Sequence, residues 1–382
     1  MSVLSKPWRH VWASNPKLLF SAQFCNKKPS HKLIDIINTI LSQHAEAIKT
    51  FLMNVSSIPS SHHSAIDQWT FLLSKNGLKH LTLQNLDDVR YKLPSCMCVV
   101  ELECLDLDNC IFRPPCNFKG FPKLKLLSLC QVILQLDTAT SFLRMPNFRL
   151  LHFTTCRPLH HSKIYVPKLW RLSFSITGTW TLNLGHFFGC QNLKIVILAS
   201  KINQDKVMNL TNFLSCSPKV CELFLYGCYL KSFASDTGEE RFPTCLRSLR
   251  VLCSYNFDFD DNDQIFCILR ILTNNPNLKD LLFKSVLKMK GGVEDNVNRS
   301  AYSTQRLTKL QKLKIEAFHG LRAELLFVRF VLASAPLLLK TILCVDESVH
   351  ESEYLKISEE LMGFPRASPK LEIKCEPPKK AK

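Results

Sequence analysis

The sequence predicts an α/β solenoid, in which short parallel strands stack side by side and are joined by returning limbs. Two observations predict it: an apolar phrase of the form LxxLxL recurs along the chain, and its copies are spaced like the units of a repeat array. GLKHLTLQNL from Gly77 and ELECLDLDNC from Glu101 are clear copies. The first apolar residue of each unit falls at Leu78, Leu102, Leu124, Phe148, Leu169, Leu193, Val220, Leu246, Leu278 and Leu310.

The spacing of these ten residues identifies the type of repeat. Successive gaps are 24, 22, 24, 21, 24, 27, 26, 32 and 32 residues. Leucine-rich repeats run roughly 20–29 residues, and each contributes one short strand and a returning helical or irregular limb. The predicted fold class is therefore a leucine-rich-repeat solenoid, with short parallel strands on its concave face and helical or irregular limbs on its convex face.

Alternation within the phrase predicts which side chains are buried. Successive side chains of a strand point to opposite faces. Leu105 and Leu107 therefore point together into the core, and Leu102 closes that core from the preceding turn. One repeat cannot bury such a face alone, so neighbouring repeats are expected to stack into a parallel sheet.

Two further positions recur outside the strand. Three residues past the last strand leucine, where this repeat type favours asparagine or cysteine, stand Cys110, Cys156 and Cys228. A proline disfavours helix at the residue before it, so it separates the limb from the next strand in several units. These prolines are Pro122, Pro146, Pro167, Pro218 and Pro276.

Three kinds of segment outside the phrases also have an interpretation. Apolar residues spaced three and four apart predict an amphipathic helix within Pro29–Ser57 and another over Gln264–Pro276. Lys290–Gln305 is polar and contains paired glycines, which predicts an exposed loop. The dense apolar run from Leu325 to Leu332 predicts a helix that seals the C-terminal end of the array.

Charge and cysteine content favour an intracellular protein. The formal charge is 49 − 32 = +17, with lysine and arginine spread along the whole chain. Nucleic-acid binders concentrate charge on one face, so specific nucleic-acid binding is not expected. Seventeen cysteines without a CxxC pair or a signal peptide predict small buried hydrophobic residues in a reducing compartment. We expect a cytoplasmic location, a nuclear location, or both.

Enzymes, metalloproteins and membrane proteins are not expected. The sequence contains no GxxxxGK[ST], GxGxxG or GxSxG phrase, so it predicts neither catalysis nor a cofactor. The pairs His62–His63 and His160–His161 lack partner ligands at metal-binding spacing, so no metal site is expected. Two cations and a proline interrupt the most apolar stretch, Leu325–Val345, so we expect a soluble protein without a membrane span.

The first residues resemble the end of a plant F-box. SVLSKPWRHVWASNPKLLF from Ser2 is close to the family phrase SVLSKRWRHLWxSxPxLxF, which covers the closing helix and the linker after it. Leu4, Trp8 and Trp12 lie four apart and would share one helical face. The resemblance implies that these residues contact the Skp adaptor of cullin-RING ubiquitin ligases. Only the end of the F-box is matched, and Pro7 replaces a basic residue, so we expect a truncated F-box.

The C-terminal segment resembles an FBD domain. LTKLQKLKIEAFHGLRAELLFVRFVLASAPLLLKTILCV from Leu307 and ISEELMGFPRASPKLEI from Ile357 contain the phrases of that domain. The matching residues are Gly320, Glu324, Phe327, Phe330, Ala335, Pro336, Phe364, Arg366, Ala367, Ser368 and Pro369. With the repeats, the chain resembles plant F-box/FBD/LRR-repeat proteins, a family taken to be substrate receptors of ubiquitin ligases.

This resemblance implies four segments. They are a residual F-box helix and linker at 1–24, the leucine-rich-repeat solenoid at 25–305, the FBD domain at 306–374 as its cap, and a basic disordered tail at 375–382.

The sequence predicts a protein-binding module, and the resemblance implies a substrate receptor of an SCF-type ubiquitin ligase, with a Skp-type adaptor and cullin complex as partners. Two alternatives stay open: an F-box-deficient scaffold that binds protein without entering the ligase, and a basic nucleic-acid-binding protein. We expect the concave face to bind the substrate, because exposed aromatic residues near arginine are typical of interface hot spots. The candidate residues are Arg171, Phe224, Tyr226 and Arg250.

Overall fold

The computed structural model describes residues 13–116, 118–135, 142–156, 163–176, 182–200, 207–208, 210–230, 246–286 and 307–378. The predicted adaptor-binding residues Leu4, Trp8 and Trp12 lie outside the described residues, as do the predicted loop Lys290–Gln305 and the pair His160–His161. The chain divides into two compact units. Unit 1 comprises Met1–Trp180 with His186–Cys190, and unit 2 comprises Thr181–Gly185 with Gln191–Lys382.

The structure is a mixture of many short strands and a few helices. In chain order the strands are β1 (Lys17–Phe20), β2 (Thr50–Asn54), β3 (His80–Gln84), β4 (Tyr91–Lys92), β5 (Cys104–Asp108), β6 (Cys110–Phe112), β7 (Leu126–Cys130), β8 (Ile133–Leu134), β9 (Phe142–Arg144), β10 (Leu150–Thr154), β11 (Lys163–Tyr165), β12 (Arg171–Ile176), β13 (Leu182–Asn183), β14 (Phe187–Phe188), β15 (Ile195–Ser200), β16 (Val207–Met208), β17 (Glu222–Tyr226), β18 (Val251–Phe257), β19 (Asp280–Ser285), β20 (Lys312–Phe318), β21 (Lys340–Val345) and β22 (Glu372–Glu376).

The helices with described bounds lie mainly near the two ends of the chain. They are α1 (Ala22–Cys25), α2 (Ser30–Ser42), α3 (His63–Lys75), α4 (Leu210–Ser215), α5 (Asn262–Asn274), α6 (Arg322–Ser334) and α7 (Glu351–Met362). Short 3-10 helices occur at Val55–Ser57, Ser60–His62, Ser95–Val99 and Leu184–His186.

Each unit contains one main parallel sheet. In unit 1 the order of neighbouring strands is β1-β2-β3-β5-β7-β10-β12. In unit 2 the order is β15-β17-β18-β19-β20-β21-β22. The order follows the sequence in both, so each successive repeat adds one strand beside the last. The predicted parallel pairing of short strands is confirmed.

The limbs that return to the next strand differ along unit 1. Three short strands, β4, β6 and β8, form a second parallel sheet, and β9, β11 and β14 form a third. The limbs between β3 and β12 are therefore largely extended, whereas α2 and α3 fill the limbs before β2 and β3.

The phrase LxxLxL buries its apolar residues as predicted. Leu102, Leu105 and Leu107 are at most 1% exposed. All ten residues predicted to begin a unit are also buried. Because the phrase supplies two inward residues per strand and one in the turn, each repeat presents a complete apolar face to its neighbours.

The recurrent proline occupies a defined position in the turn before the strand. The N–H of Phe148 donates to the carbonyl of Met145 at 3.3 Å, and the N–H of Leu278 donates to that of Asn275 at 3.1 Å. Pro146 and Pro276 are thus the second residue of a four-residue turn, where the fixed φ of proline is favourable. The turn lets the buried residue before proline and the apolar residue that closes the turn, Phe148 or Leu278, both face the core.

Three strands of unit 1, β5, β7 and β10, are followed by residues with left-handed backbone. Asn109, Gln131 and Thr155 have φ of 48°, 54° and 49°. Their N–H groups donate to the next repeat, to the carbonyls of Cys130, Thr154 and Ser175 at 2.7 to 2.8 Å. Each strand end therefore turns the chain towards the limb while the ladder of hydrogen bonds continues.

Two sequence predictions near the N-terminus need correction. The helix predicted within Pro29–Ser57 ends at Ser42, and 50–54 form β2 instead. Phe51 and Met53 alternate with less buried residues and pair with Leu81 and Leu83 of β3, so a period of two holds there. In addition, residues 17–20, predicted as F-box linker, form β1 beside β2.

The repeat that contains β18 was predicted three residues out of register. Its turn closes between the N–H of Leu249 and the carbonyl of Leu246, and Val251 pairs with Glu222. The first apolar residue of the repeat is therefore Leu249, which lies midway in sequence between Val220 and Leu278. Leucines three residues apart permit both registers, and the polar Ser254 occupies the third inward position.

The C-terminal segment both supplies a helix and continues the sheet. The predicted apolar helix is α6, observed at Arg322–Ser334, and Phe327 packs against Phe283 with ring centroids 5.4 Å apart. The prediction that this helix seals the C-terminal end of the array was wrong, because the sheet continues past it. Beyond it, β21 and β22 extend the parallel sheet of unit 2. The segment that resembles an FBD domain therefore adds further repeat-like units.

A buried carboxylate fixes the start of α6. Glu324 is fully buried and accepts from the N–H groups of His319 and Leu321 at 2.9 and 3.1 Å and from the hydroxyl of Ser285 at 2.6 Å. Gly320, between them, has φ of 72°, and a Cβ there would lie 2.2 Å from Ile357. Glu324 and Gly320 both match the FBD phrase, and the structure explains why each residue type is needed at its position.

Candidate protein-binding surface

The main sheet of each unit has a face whose side chains point away from the apolar core. We call it the open face; it carries the first, third and fifth residues of the strands. In unit 1 its middle row runs through strands that pair in register. The row consists of Leu19, Leu52, Thr82, Asp106, Ser128, His152 and Ser173. This row is mostly polar, so the open face of unit 1 suits hydrogen bonding more than apolar contact.

The predicted residue Arg171 lies on this face. It is exposed at the start of β12, in register with Leu150. The nearby His152 contacts the hydroxyl oxygens of Ser173 at 3.1 Å through Nδ1 and Thr154 at 2.9 Å through Nε2. Burial lowers the pKa of His152, an effect that Asp106 opposes and Arg171 reinforces. A neutral imidazole held by two hydroxyls thus lies beside the exposed guanidinium.

The thiols of unit 1 are chemically quiet. Burial, and then the charge of Asp108, raises the pKa of Cys130 to about 12. Burial likewise raises the pKa of Cys110 to about 12 and of Cys156 to about 11. The Cys156 thiol donates to the carbonyl of Leu129 at 3.2 Å. Thiols with raised pKa are poor nucleophiles. Every described cysteine is free, but only six of the sixteen are buried and Cys116 and Cys216 are exposed, so the predicted role as small buried residues holds for only part of them.

The middle row of the open face in unit 2 has a different character. In register it consists of Ile197, Phe224, Cys253, Leu282, Lys314, Ile342 and Lys374. Most of its apolar members are half-buried, so a partner would remove further apolar area from water. The open face of unit 2 therefore has an apolar centre.

Aromatic residues extend this apolar centre. The predicted residues Phe224 and Tyr226 both lie on the open face, on β17, and are half-buried. Tyr226 packs against Tyr255 of β18, with ring centroids 5.7 Å apart. Burial raises the pKa of Tyr255 to about 12, so its hydroxyl stays protonated. Sequence reasoning missed Tyr255 because the register of β18 was misplaced; starting the strand phrase at Leu249 would have found it.

Charged residues flank the apolar centre on the later strands of the same face. Lys314 donates to Glu316 at 2.5 Å, and Lys374 donates to Glu376 at 2.7 Å. Lys312 and Lys340 are neighbours in the first row of the same face. An apolar centre with a polar rim is the usual anatomy of a protein interface.

Arg250 is separated from the other predicted residues of unit 2. It is exposed, but it lies one residue before β18, which begins at Val251. The predicted register, which begins at Leu246, placed Arg250 within the strand, and that placement was wrong for the reason of register given above. Its role in binding remains a prediction.

Other kinds of site find little support in the described residues. Apolar side chains including Phe112, Phe118 and Phe148 line a cavity of about 30 Å³ in unit 1. Drug-sized ligands need roughly ten times that volume. Among the described residues no three His, Cys, Asp or Glu side chains are grouped to hold a metal ion. In the same residues, no helix has the length and apolar character needed to cross a bilayer.

Comparison with known proteins gives several relatives. No family model matches the chain. An F-box/FBD/LRR-repeat protein of Arabidopsis thaliana is 28% identical over 97% of this chain and 91% of its own length. An F-box/LRR-repeat protein of the same plant is 25% identical over 96% of this chain and 89% of its own length. An FBD-associated F-box protein, also from that plant, is 25% identical over 60% of this chain and 56% of its own length.

Proposed function

Because this chain belongs to the plant F-box/FBD/LRR-repeat family, we propose that it binds a protein substrate for an SCF-type, cullin-RING ubiquitin ligase. Its repeats stack as a leucine-rich-repeat solenoid, and the substrate lies on the open face. A Skp-type adaptor links the chain to the cullin complex through its N-terminal F-box residues. The protein acts by binding and not by catalysis, in the cytoplasm or nucleus.

The open face of unit 2 carries this proposal. Phe224, Tyr226 and Tyr255 are half-buried aromatic residues on two adjacent strands, and lysine–glutamate pairs lie further along the same face, on β20 and β22. Aromatic residues of this kind supply a large apolar area at low cost in side-chain entropy, and they dominate binding energy at interfaces. A surface held on paired strands is also rigid, so little ordering is needed on binding.

The substrate-binding role is tested by substitution of Phe224 in the full chain. We expect Phe224→Ser to weaken capture of co-purifying plant proteins about tenfold or more, since an aromatic hot spot contributes about 2 kcal/mol. Phe266→Ser is the matched control, because Phe266 is an equally large and 50% exposed residue on helix α5. Quantitative mass spectrometry after crosslinking reads out both variants. Equal capture by wild type and Phe224→Ser would refute the assignment of this face.

Entry into the ligase is tested separately, because a scaffold that binds protein without the adaptor is the main alternative. That alternative is supported by Pro7, which replaces a basic residue of the F-box phrase. A pull-down of the full chain with a purified plant Skp-type adaptor distinguishes the two. Stable binding that Trp8→Ala/Trp12→Ala abolishes supports the receptor role, and absence of binding supports the scaffold.

A further inference from the structure

The turns that lead into the strands of unit 2 carry a row of exposed cations. Some stand immediately before a strand and others within the preceding turn. Together they form what we call the basic turn cluster: Lys194, Lys219, Arg247, Arg250, Lys279 and Lys309. All six side chains belong to exposed residues of the same unit.

Stacking of the repeats brings these cations together. The N–H of Arg250 donates to the carbonyl of Cys221 at 2.8 Å, and the N–H of Lys279 donates to the carbonyl of Arg250 at 2.8 Å. The N–H of Cys221 donates in turn to the carbonyl of Lys194 at 2.9 Å. Neighbouring strands lie about 4.8 Å apart, so residues far apart in sequence become neighbours. Lysine and arginine residues that look evenly spread along the sequence are thus brought together along the N-terminal ends of the strands.

Neutral amide groups hold several of these lysines in place. The ammonium of Lys219 donates to the side-chain oxygen of Asn192 at 2.9 Å, and that of Lys309 donates to Asn277 at 2.7 Å. Asn277 in turn donates to the carbonyl of Arg247 at 3.0 Å. An amide oxygen orients an ammonium group without cancelling its charge. The nearest carboxylates in sequence, Glu222 and Asp280, stand on the strands beside the cluster.

The early turns of unit 1 are compensated instead. There Glu103 accepts from Lys79 at 2.9 Å and from Lys125 at 2.6 Å, and Glu101 accepts from Lys123 at 2.5 Å. The ammonium groups of Lys125 and Lys79 lower the pKa of Glu103 to about 2. Among the described residues, such carboxylate pairs occur in the early turns of unit 1 and not in the basic turn cluster. In a later turn of unit 1, an amide holds the lysine as in unit 2, because Lys168 donates to Asn147 at 2.9 Å.

We propose that the basic turn cluster binds an acidic segment of the protein partner whose apolar residues lie on the open face of unit 2. The inference deepens the proposed function and depends on it. Complementary charge is the reason for an acidic ligand. A protein is favoured over nucleic acid because the cluster adjoins the apolar row: Arg250 directly precedes β18, which carries Cys253 and Tyr255.

The geometry of β18 specifies the spacing of the partner's groups. Tyr255 lies five residues beyond Arg250, which in a strand is about 16 Å. A partner segment that runs along the strand would therefore place its carboxylates about five extended residues from its apolar anchor. Nucleic-acid recognition would instead need bases stacked on aromatic rings close to the phosphate contacts.

The test uses the full chain and a fluorescein-labelled peptide, Glu-Glu-Glu-Glu-Ser-Gly-Ser-Ser-Phe-Leu, in fluorescence anisotropy. Arg250→Ser/Lys279→Ser removes two charges of the cluster. Arg329→Ser/Lys356→Ser is the control, because it removes the same charge from exposed residues of α6 and α7. We expect the first variant to bind the peptide about tenfold more weakly and the control to change affinity less than twofold. Unchanged thermal midpoints verify that both variants fold.

Three outcomes would overturn the proposal. They are no binding of the peptide by the wild type, equal losses in the two variants, and tighter binding of a single-stranded DNA of equal charge at about 0.15 M salt. The last outcome would indicate a nucleic-acid site. None of them changes the expected result of the Phe224→Ser capture experiment, so the proposed function is tested independently of this inference.

Discussion

The middle repeats of unit 1 and the later repeats of unit 2 use the same strand phrase but different returning limbs. The repeats that run from Leu81 to Leu105 and from Leu105 to Leu127 are short, and extended segments return the chain. The repeat that runs from Leu252 to Leu281 is longer, and the helix α5 returns it. In these examples the short repeats have extended limbs and the long repeat has a helical limb.

Backbone geometry explains this rule. A strand of five residues spans about 17 Å at roughly 3.3 Å per residue. A helix that returns over that distance needs about 12 residues at about 1.5 Å each, whereas an extended limb needs about five. A helical limb should therefore lengthen a repeat by several residues, as it does in unit 2. The repeat from Phe51 to Leu81, which includes α3, is also long and obeys the same rule within unit 1.

The two open faces differ as well. The middle row of unit 1 is rich in hydroxyl and carboxyl groups, whereas that of unit 2 is apolar around Phe224 and Tyr226. Inward positions are nearly the same in both units, so selection for the core leaves the outward positions free to vary. The face with apolar content is where we expect most of the binding energy.

The largest expected effect of a substitution is on the packing between a helical limb and the sheet, which an extended limb lacks. Phe283 is 2% exposed and lies between Phe257 and Phe327, at 4.6 and 5.4 Å between ring centroids. We expect Phe283→Ala to lower the free energy of unfolding by about 3–5 kcal/mol, because it leaves a cavity between sheet and helix. Urea denaturation measures the loss. Phe266→Ala, at a 50% exposed site on α5, is expected to lower the free energy of unfolding by about 0.5 kcal/mol or less. Equal losses from the two substitutions would contradict tight packing between the helical limb and the sheet.

Anchoring of a helical limb depends on its first turn, which an extended limb does not require. Glu324→Gln removes the buried carboxylate that accepts from His319, Leu321 and Ser285. We expect a loss of about 2 kcal/mol in the free energy of unfolding, the usual contribution of hydrogen bonds to a buried charge. Glu353→Gln, in the exposed first turn of α7, is the control. A loss no greater than that of the control would contradict the anchoring role.

The pH dependence of stability provides a second test of the buried Glu324. Glu324 and then Asp346, at 3.8 and 3.7 Å from the His319 ring, raise the pKa of His319 above its usual 6.5, although burial opposes them. Protonated His319 therefore stabilises the fold fully below pH about 6.5, and the contribution is lost as pH rises through the folded pKa. His319→Gln should remove this part of the stability profile, as measured by urea denaturation from pH 5.5 to 8.5.

Much of this architecture could be predicted from residue patterns. The recurrent leucines predict the strands, their parallel order and the buried positions, because alternation in a strand is a local property. The register of β18 could not be predicted, since Leu246, Leu249 and Leu252 permit two choices and only pairing with β17 decides between them. The basic turn cluster was missed because lysines such as Lys219 and Lys279 look dispersed until repeats are stacked. Short strands of the limbs, such as β6, could not be predicted because they contain too few residues to show a periodic pattern.

The smallest expected effect tests whether charge compensation alone separates the turns of the two units. Glu103→Gln keeps an acceptor between Lys79 and Lys125 but removes the carboxylate. In the Arg250→Ser/Lys279→Ser background, we expect the acidic peptide to bind about two- to threefold more tightly at low salt, with the gain lost near 0.5 M. Asp35→Asn, at an exposed site on α2, makes the same change in net charge elsewhere in unit 1. A similar gain from that control would mean that total charge, and not its arrangement in the turns, governs attraction of the peptide.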